Sequence, residues 1–474
     1  MSLIHVSVFS LVATLIGTSR NSRWRGWGLL TGSVLAVYWL QPATPVRHFD
    51  FWLPTIALAL TIFVWVATHR KRSFDIRSEI FTALVIAALV LGVGFTRYLT
   101  IGWHLTQTRP PSTLNILVAL IGFGLISFLL LRIRRESRLG LWLLAFLILG
   151  LFIIIKSDQL ATWASRAARV WTGQFPELAS SADVSWLGFS YLVLRLLHTL
   201  RDQTTGRLPA LSLQEYVTYV IFFPALTAGP IDRADRFVRD LRAARRITAV
   251  HVVEGGTRIV FGLFKKFVLA DSLAIIALNS ANALQVKSSL WLWILLYAYA
   301  AQIYLDFSGY TDVAVGIGRL AGIELPENFD RPYLKPNIVA FWNSWHITMA
   351  KWFRAYFFNP LTRFFLRSKH KLSPWMVIFL AQLSTMALIG LWHGVTWNFL
   401  VWGIWHGLGL YIHNRWVAFL KARSHILPPS LYSNRGLKAV SVLLTFHFVT
   451  IGWVWFALPE IGLSMTVLGR LFGM

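Results

Sequence analysis

The chain has 474 residues, of which 56% are hydrophobic and only 14% charged, with 23 Trp and 34 Phe. This balance, spread over long continuous apolar runs, describes a polytopic α-helical membrane protein and excludes a transmembrane barrel, whose strands read as alternating segments of about 10 residues. The net charge of +25 sits mainly in short loops between apolar runs, which favours membrane topology over nucleic-acid binding, and zero cysteines exclude disulfides, thiolate metal sites and acyl-cysteine chemistry.

In chain order, MSLIHVSVFSLVATLIG lacks a basic leader and a small-residue cleavage site, which predicts a retained first helix. Spans are predicted near 2–18, 27–41, 51–68, 79–97, 113–132 and 139–155. The loops RNSRWRG (20–26), HRKRSFDIR (69–77) and RIRRESR (132–138) are strongly basic, whereas 41–50 and 96–113 are less so. The alternation predicts an external N-terminus and three cytosolic basic loops. The polar stretch at 157–185 then falls outside. The predicted organisation is an N-terminal bundle of about six helices (1–156), an extracytoplasmic connector (157–183) and a core (184–474).

Beyond residue 184 the spans are interrupted by Pro, Gly and charge: FFPALTAGPIDRADRF (222–237), GLFKKFVLAD (262–271), YLDFSGYTD (304–312) and LPENFDRPYLKPN (325–337). Irregular backbone at membrane depth survives only when buried in protein or lining a cavity, so these breaks predict an internal pocket or tunnel. No internal repeat is evident, which weighs against an inverted-repeat transporter.

NIVAFWNSWHITMAKWFRAYFFNPL (337–361) predicts an amphipathic helix with Asn337 as its N-cap. Trp342, Trp345, Met349, Trp352 and Tyr356 would form one aromatic stripe at a membrane interface. Asn343 stands three residues before His346, within reach of its ring. A solvated interfacial histidine is the competing reading.

The run LWHGVTWNFLVWGIWHG (391–407) contains Trp-His-Gly twice and no charged residue. An imidazole in hydrocarbon needs a partner, a wet cavity or a chemical task. Gly394 after His393 permits close approach of backbone or substrate. His406 lies 13 residues on and falls on a different face of an ideal helix. Each also reads as a hydrogen-bonded core histidine. A metal site is not expected, because no His-Glu-x-x-His or close His pair occurs. Nucleophile-elbow, phosphate-loop and dinucleotide patterns are missing too, which leaves an intramembrane histidine best suited to general-base work in direct transfer.

Residues 302–361 (QIYLDFSGYTD through FFNPL) and IGLWHGVTWNFLVWGIWHGLGL (389–410) closely resemble the membrane-bound O-acyltransferase superfamily. The likeness is to its bacterial branch of alginate O-acetyltransferases and teichoic-acid D-alanyl transferases. GFSYLVLRLLHTLRD (188–202), FFPALTAGPIDR (222–233) and GLFKKFVLAD (262–271) fit the same pattern in the same order. The resemblance implies an all-α fold, a ring of tilted helices around a tunnel, with the N-terminal bundle added. It implies His393 as the catalytic base and His346, with Asn343, as the residue that positions or polarises the donor. Asn343, Trp345, Trp392 and Gly394 would position donor and acceptor. Asp306 and His406 are further candidates, His406 chiefly as a packing residue.

The implied donor is an acyl thioester, acetyl-coenzyme A or the phosphopantetheine of an acyl carrier protein, with no tightly bound cofactor. The implied acceptor is an envelope polysaccharide or a partner transferase, at a bacterial inner or plasma membrane and among its lipids. Basic stretches 231–246 and 363–371 would receive donor phosphates. GPIDR and the FWN at 341–343 look like the D-alanyl branch, whereas GLFKKFVLAD and 305–329 look like the acetyl branch. A short acyl group, acetyl first, is the expectation, with D-alanyl transfer from a carrier protein to a teichoic-acid-like acceptor as the alternative. A lipid or protein acyltransferase is a more distant enzymatic rival. A transporter or scaffold with a histidine-gated tunnel is the rival of another class.

Overall fold

In hydrocarbon a backbone must satisfy its own hydrogen bonds, so each long apolar run becomes a helix. The computed structural model describes residues 2–19, 21–69, 76–99, 104–133, 138–243, 247–368, 372–423 and 434–474, and among these there is no strand. The six early runs form α1 (Leu3–Thr18), α2 (Ser22–Leu40), α3 (Phe49–Thr68), α4 (Ile76–Phe95), α5 (Thr113–Ile133) and α6 (Arg138–Lys156). The centres of two predicted basic loops (70–75 and 134–137) lie outside the described residues, as do Arg20 and the ends of the basic stretches at 244–246 and 369–371.

Seven described helices are long and apolar enough to cross a bilayer: α3 to α6 and three later ones near 289–320, 374–393 and 435–457. The protein is a multi-pass membrane protein. At 16 residues α1 falls short of a perpendicular crossing, which takes roughly 20.

Two compact units divide the chain, residues 1–260 with 312–326 and residues 261–311 with 327–474. In the first, the stretch expected as a polar connector carries an amphipathic helix, α7 (Asp158–Trp171). A buried ion pair fastens it. Asp183 Oδ2 accepts from Ser165 Oγ at 2.6 Å and from Arg169 Nε at 2.9 Å and Nη2 at 2.8 Å. Burial pushes the Asp183 carboxyl up, but the hydrogen bonds from Ser165 and Arg169 outweigh it and hold the group below its ordinary 3.8. A depressed carboxyl contributes stability above its unfolded value and loses it as pH falls through the folded one. Protection of the 158–184 amides, taken relative to intrinsic exchange at each pH, is therefore expected to fall only as the pH is lowered below about 4. Asp183→Asn should show the fast exchange already at neutral pH, through the loss of about 2 kcal/mol when Arg169 stays buried without its counter-charge. Wild-type protection at neutral pH in that variant would remove the pair from the account.

α8 (Phe189–Thr204), α9 (Leu213–Val220), α10 (Ala234–Ala243) and α11 (Ala249–Leu263) complete this part of the chain. Gly188 starts α8 at φ 72, where a Cβ would lie 2.6 Å from the Leu226 carbonyl, so only glycine fits. Between α9 and α10 the chain breaks at Pro224 and Gly229–Pro230, as the sequence predicts, and the exposed carbonyls need donors. Arg195, 2% exposed, supplies them: Nη1 donates to the Val220 carbonyl at 2.8 Å and Nη2 to that of Ala225 at 2.7 Å. Asp232 holds Arg236 through two 2.7 Å bonds, which fixes the start of α10.

In the second unit a π-helical turn (Phe264–Ala270) leads to α12 (Asp271–Ala274) and α13 (Ser280–Gln285). α14 (Ser289–Leu320) contributes its residues 289–311 here. α15 (Ile338–Trp342), α16 (Ile347–Phe353) and α17 (Asn359–Arg367) are short. α18 (Pro374–His393), α19 (Trp397–Ala422), α20 (Arg435–Ala457) and α21 (Ile461–Leu471) finish the chain. α18 and α19 form a close hairpin through glycines. A Cβ on Gly390 would sit 2.1 Å from the Phe399 carbonyl oxygen, and one on Gly403 2.3 Å from that of Met386. Asn398 ties this hairpin to the C-terminal end, its Nδ2 donating to the Leu458 carbonyl at 2.6 Å and to Ser464 Oγ at 2.9 Å.

Candidate functional site

Every residue singled out for chemistry in the sequence lies in the second unit. The helix predicted over 337–361 is broken there. Asn337 does cap it, accepting from Ala340 N at 2.8 Å, but α15 ends at Trp342 and α16 starts only at Ile347. The turn places His346 at φ 41 and ψ 53, a left-handed conformation costing a non-glycine residue about 1–2 kcal/mol.

Asn328, fully buried in the ENFDRP segment, holds this turn. Its carbonyl accepts from Ile347 N at 2.9 Å, while its Oδ1 accepts from Thr348 N at 3.3 Å and Thr348 Oγ1 at 2.6 Å. These bonds satisfy the first amides of α16, which would otherwise be orphaned. Asn328→Ala is expected to cost about 2 kcal/mol, since Thr348 loses a buried acceptor. Exchange of the 344–350 amides should speed up selectively, and Asn328→Asp, which keeps the acceptor, should restore most of the protection. Equal exchange in Asn328→Ala and wild type would show that another contact holds the turn.

The aromatic stripe faces protein rather than a membrane interface at its first three positions. Trp342, Trp345 and Met349 are buried, and only Trp352 and Tyr356 are half-exposed. Trp345 stacks on Phe341 at 5.7 Å and packs on Trp453 at 5.2 Å, the contacts of a core residue. Asn343 is exposed, and its Oδ1 accepts from Arg354 Nη2 at 2.8 Å. The predicted orienting pair with His346 is thus replaced by a pair with Arg354, because the left-handed turn removes the helical register that would have stacked residues 343 and 346.

His346 is 1% exposed, with Phe307 edge-on at 4.7 Å and Trp392 at 6.1 Å. Trp392 in turn contacts His393 at 4.8 Å, so the indole lies near both imidazoles. His393 is the last residue of α18 and is only half-buried. Trp402, Phe456 and Phe399 pack around its ring at 5.5, 4.9 and 5.9 Å. α18 ends at His393. Gly394 beyond it leaves room for the Phe399 ring, which a Cβ there would strike at 2.7 Å. Its extended backbone reverses the chain, so His393 and His406 stand on two helices of a hairpin and not on one helix as the spacing argument assumed.

His406 is fully buried among aromatic rings, with Trp402 at 4.9 Å, Trp342 at 5.3 Å and Phe448 at 5.8 Å. Neither ring nitrogen has a hydrogen-bond partner among the described residues. Gly452 leaves room for it, since a Cβ there would come within 3.1 Å of Nε2. Asp306 on α14 pairs with Lys266 from the π-helical turn, and its neighbour Phe307 is the ring against His346. Among the described residues no three His, Asp or Glu side chains converge as metal ligands.

A cavity of about 210 Å³ in this unit is lined by Trp342, Arg354, Gln382, Ile389 and Asn414, among others. Ile389 stands one helical turn before His393. The arrangement offers a half-exposed imidazole at the end of a helix, a buried second imidazole, an aromatic wall and an apolar cavity with a guanidinium in its lining. Neither His346 nor His393 is in the cavity lining, but the half-exposed His393 imidazole at its helix end can accept a proton from a hydroxyl. The contributions of Asn328, Trp402 and Phe456 are not marked in the sequence, and Arg354 reads there only as part of an interfacial helix face. Asn328 lies inside a quoted motif, but nothing local marks its partner 20 residues away.

The chain is 35% identical over 292 residues to the probable alginate O-acetylase of Pseudomonas fluorescens, covering 60% of this chain and 53% of that protein. It is 28% identical over 337 residues to the teichoic acid D-alanyltransferase of Streptococcus thermophilus, covering 69% of this chain and 77% of that one. It is 30% identical over 262 residues to the peptidoglycan O-acetyltransferase of Helicobacter pylori, covering 55% and 47%. The chain thus spans about half the length of the alginate O-acetylases it matches. The sequence profile of the membrane-bound O-acyltransferase family matches residues 138–450, most of the chain and all the candidate site residues, and the protein belongs to that family.

Proposed function

We propose that the protein is an O-acyltransferase of a bacterial cell membrane. It moves a short acyl group, acetyl first, from a cytosolic thioester donor to a hydroxyl of an envelope polysaccharide or of a partner transferase. The observation that carries the reading is His393, half-exposed at the end of α18 and linked through Trp392 to the buried His346. The His393 imidazole accepts the proton of the acceptor hydroxyl as its oxygen attacks the thioester carbonyl. The C–O bond forms, the C–S bond breaks, and the proton passes from the imidazolium to the departing thiolate. His346 positions the donor carbonyl. Arg354, held by Asn343 at the cavity lining, receives the polar part of the donor arm. Trp392 and Gly394 shape the acceptor side, whereas Trp345 and His406 pack.

In this reading helices ring a tunnel between the donor and acceptor sides, and the basic stretches 231–246 and 363–371 attract the donor's phosphates. In the same reading residues 1–156 are an N-terminal helical bundle and 157–183 an external connector before the catalytic core at 184–474, although 1–260 pack as one compact unit with 312–326. Relatives named as acetylating alginate or peptidoglycan support acetyl, and one named for D-alanyl transfer to teichoic acid supports the carrier-protein alternative. The test supplies membranes containing the protein with labelled acetyl-coenzyme A or labelled D-alanyl carrier protein and follows alkali-labile label in envelope material. Ester label from acetyl-coenzyme A is expected. Label from the carrier protein alone would replace the acetyl assignment, and a labelled donor that crosses unchanged without forming ester would overturn the enzyme reading.

A further inference from the structure

A helix on the surface of a folded chain buries its apolar stripe and leaves its polar face to water. α7 does the reverse. Its buried residues are Ala161, Ser165 and Arg169, spaced by four. Leu160, Trp163, Val170 and Trp171 point away from them and are 40%, 65%, 63% and 83% exposed. At 3.6 residues per turn these four side chains fall within an arc of about 100°, nearly opposite the buried row. Beyond the helix the apolar exposure continues with Phe175 and Leu178.

The orientation is fixed at both ends of the segment. Rolling α7 to hide the indoles would break the bonds that Ser165 and Arg169 donate to Asp183. At the other end Gly173, at φ 67, closes the helix with a turn in which Gln174 N donates to the Arg169 carbonyl at 2.8 Å. The Gln174 side chain accepts from Arg47 N at 2.8 Å and donates to the Pro45 carbonyl at 2.9 Å, which fastens the segment to the chain ahead of α3. The apolar stripe is therefore held outward.

What covers the stripe follows from where the helix begins. α6 is long and apolar enough to cross a bilayer and ends at Lys156, and Ser157 alone separates it from α7. α7 thus starts at a bilayer surface, and its 14 residues, about 21 Å of helix, are too few to cross again. Tryptophan favours that level, where an amphipathic helix sinks its apolar face into the boundary between headgroups and acyl chains. Gln159 and Arg166 border the stripe on one flank and are exposed, and Arg166 has no carboxylate partner among the described residues. A guanidinium beside an apolar stripe matches a phosphate above acyl chains.

We infer that α7 is a lipid-binding surface, an in-plane helix whose Leu160, Trp163, Val170 and Trp171 lie in the membrane interface with Arg166 at the lipid phosphates. The stretch expected as a polar connector then anchors its unit to the membrane. This surface is independent of the acyl-transfer reading.

The chain has no cysteine, so single cysteines can carry a nitroxide label one at a time. Trp163→Cys, Val170→Cys and Trp171→Cys report on the stripe, and Gln159→Cys and Arg166→Cys on its flank. The full chain is reconstituted in vesicles of phosphatidylethanolamine and phosphatidylglycerol. Power saturation then compares collision with oxygen, which concentrates in lipid, and with a nickel chelate, which stays in water. The ratio of oxygen to chelate collisions is expected to be several-fold higher at the stripe than at the flank. All five positions are exposed, and Val170→Cys is the mildest change should a tryptophan variant fail to fold. Chelate access at the stripe equal to that at the flank would place the face in water and overturn the inference. Low collision with both reagents along the stripe would overturn it as well, a protein chain then being the occupant.

Discussion

Gly390→Ala is expected to lower the unfolding free energy by about 2–3 kcal/mol, although alanine is the better helix former. Glycine in a helix interior costs about 1 kcal/mol relative to alanine, so propensity alone would stabilise the variant. Packing decides the sign. The new Cβ would lie 2.1 Å from the Phe399 carbonyl oxygen, and backbone must move to admit it. Overpacking of this kind costs about 1–3 kcal/mol, occasionally more, and here it reaches or passes the upper end because a main-chain oxygen is struck. Gly150→Ala on α6, where a Cβ meets nothing within 4 Å, is the control and should be neutral or stabilising. Melting in detergent micelles checks both. Unchanged melting of Gly390→Ala would mean that α18 and α19 are not in the close contact described.

The second large effect falls on activity. His393→Ala should reduce acyl transfer by about 10²–10⁴-fold, the usual contribution of a positioned general base, with melting close to wild type because the ring is only half-buried at a helix end. His406→Ala should show the opposite pattern. A fully buried imidazole amid Trp402, Trp342 and Phe448 leaves a cavity when truncated, which costs about 2–4 kcal/mol, while transfer per folded molecule stays near normal. Reversal of the two patterns would exchange the roles assigned to the residues.

Much of the helical framework was legible because lipid leaves the backbone few options. The six early runs became α1 to α6, and the break at Pro224 and Gly229 fell where those residues predict it. Other features depended on contacts that periodicity does not encode. Trp342, Trp345 and Met349 keep helical spacing across a point where the chain is not helical, since Asn328 holds the turn from 20 residues away. Asn343 is bonded to Arg354 eleven residues later, and Arg195 reaches carbonyls of a different segment. The Trp-His-Gly repeat draws attention to His393 and His406 but does not reveal their placement. The first copy ends one helix and the second lies inside the next, because Gly394 turns the chain between them.

The central claim is that the His393 imidazole accepts the acceptor's proton. The most direct measurement adds free imidazole to reconstituted His393→Ala protein and follows labelled acyl transfer to a hydroxyl acceptor. The position is half-exposed, so a small base can reach it. The account predicts transfer that is lost in the variant and returns with added imidazole in a saturable way, with no such return in His346→Ala. Wild-type transfer by folded His393→Ala protein without imidazole would contradict it.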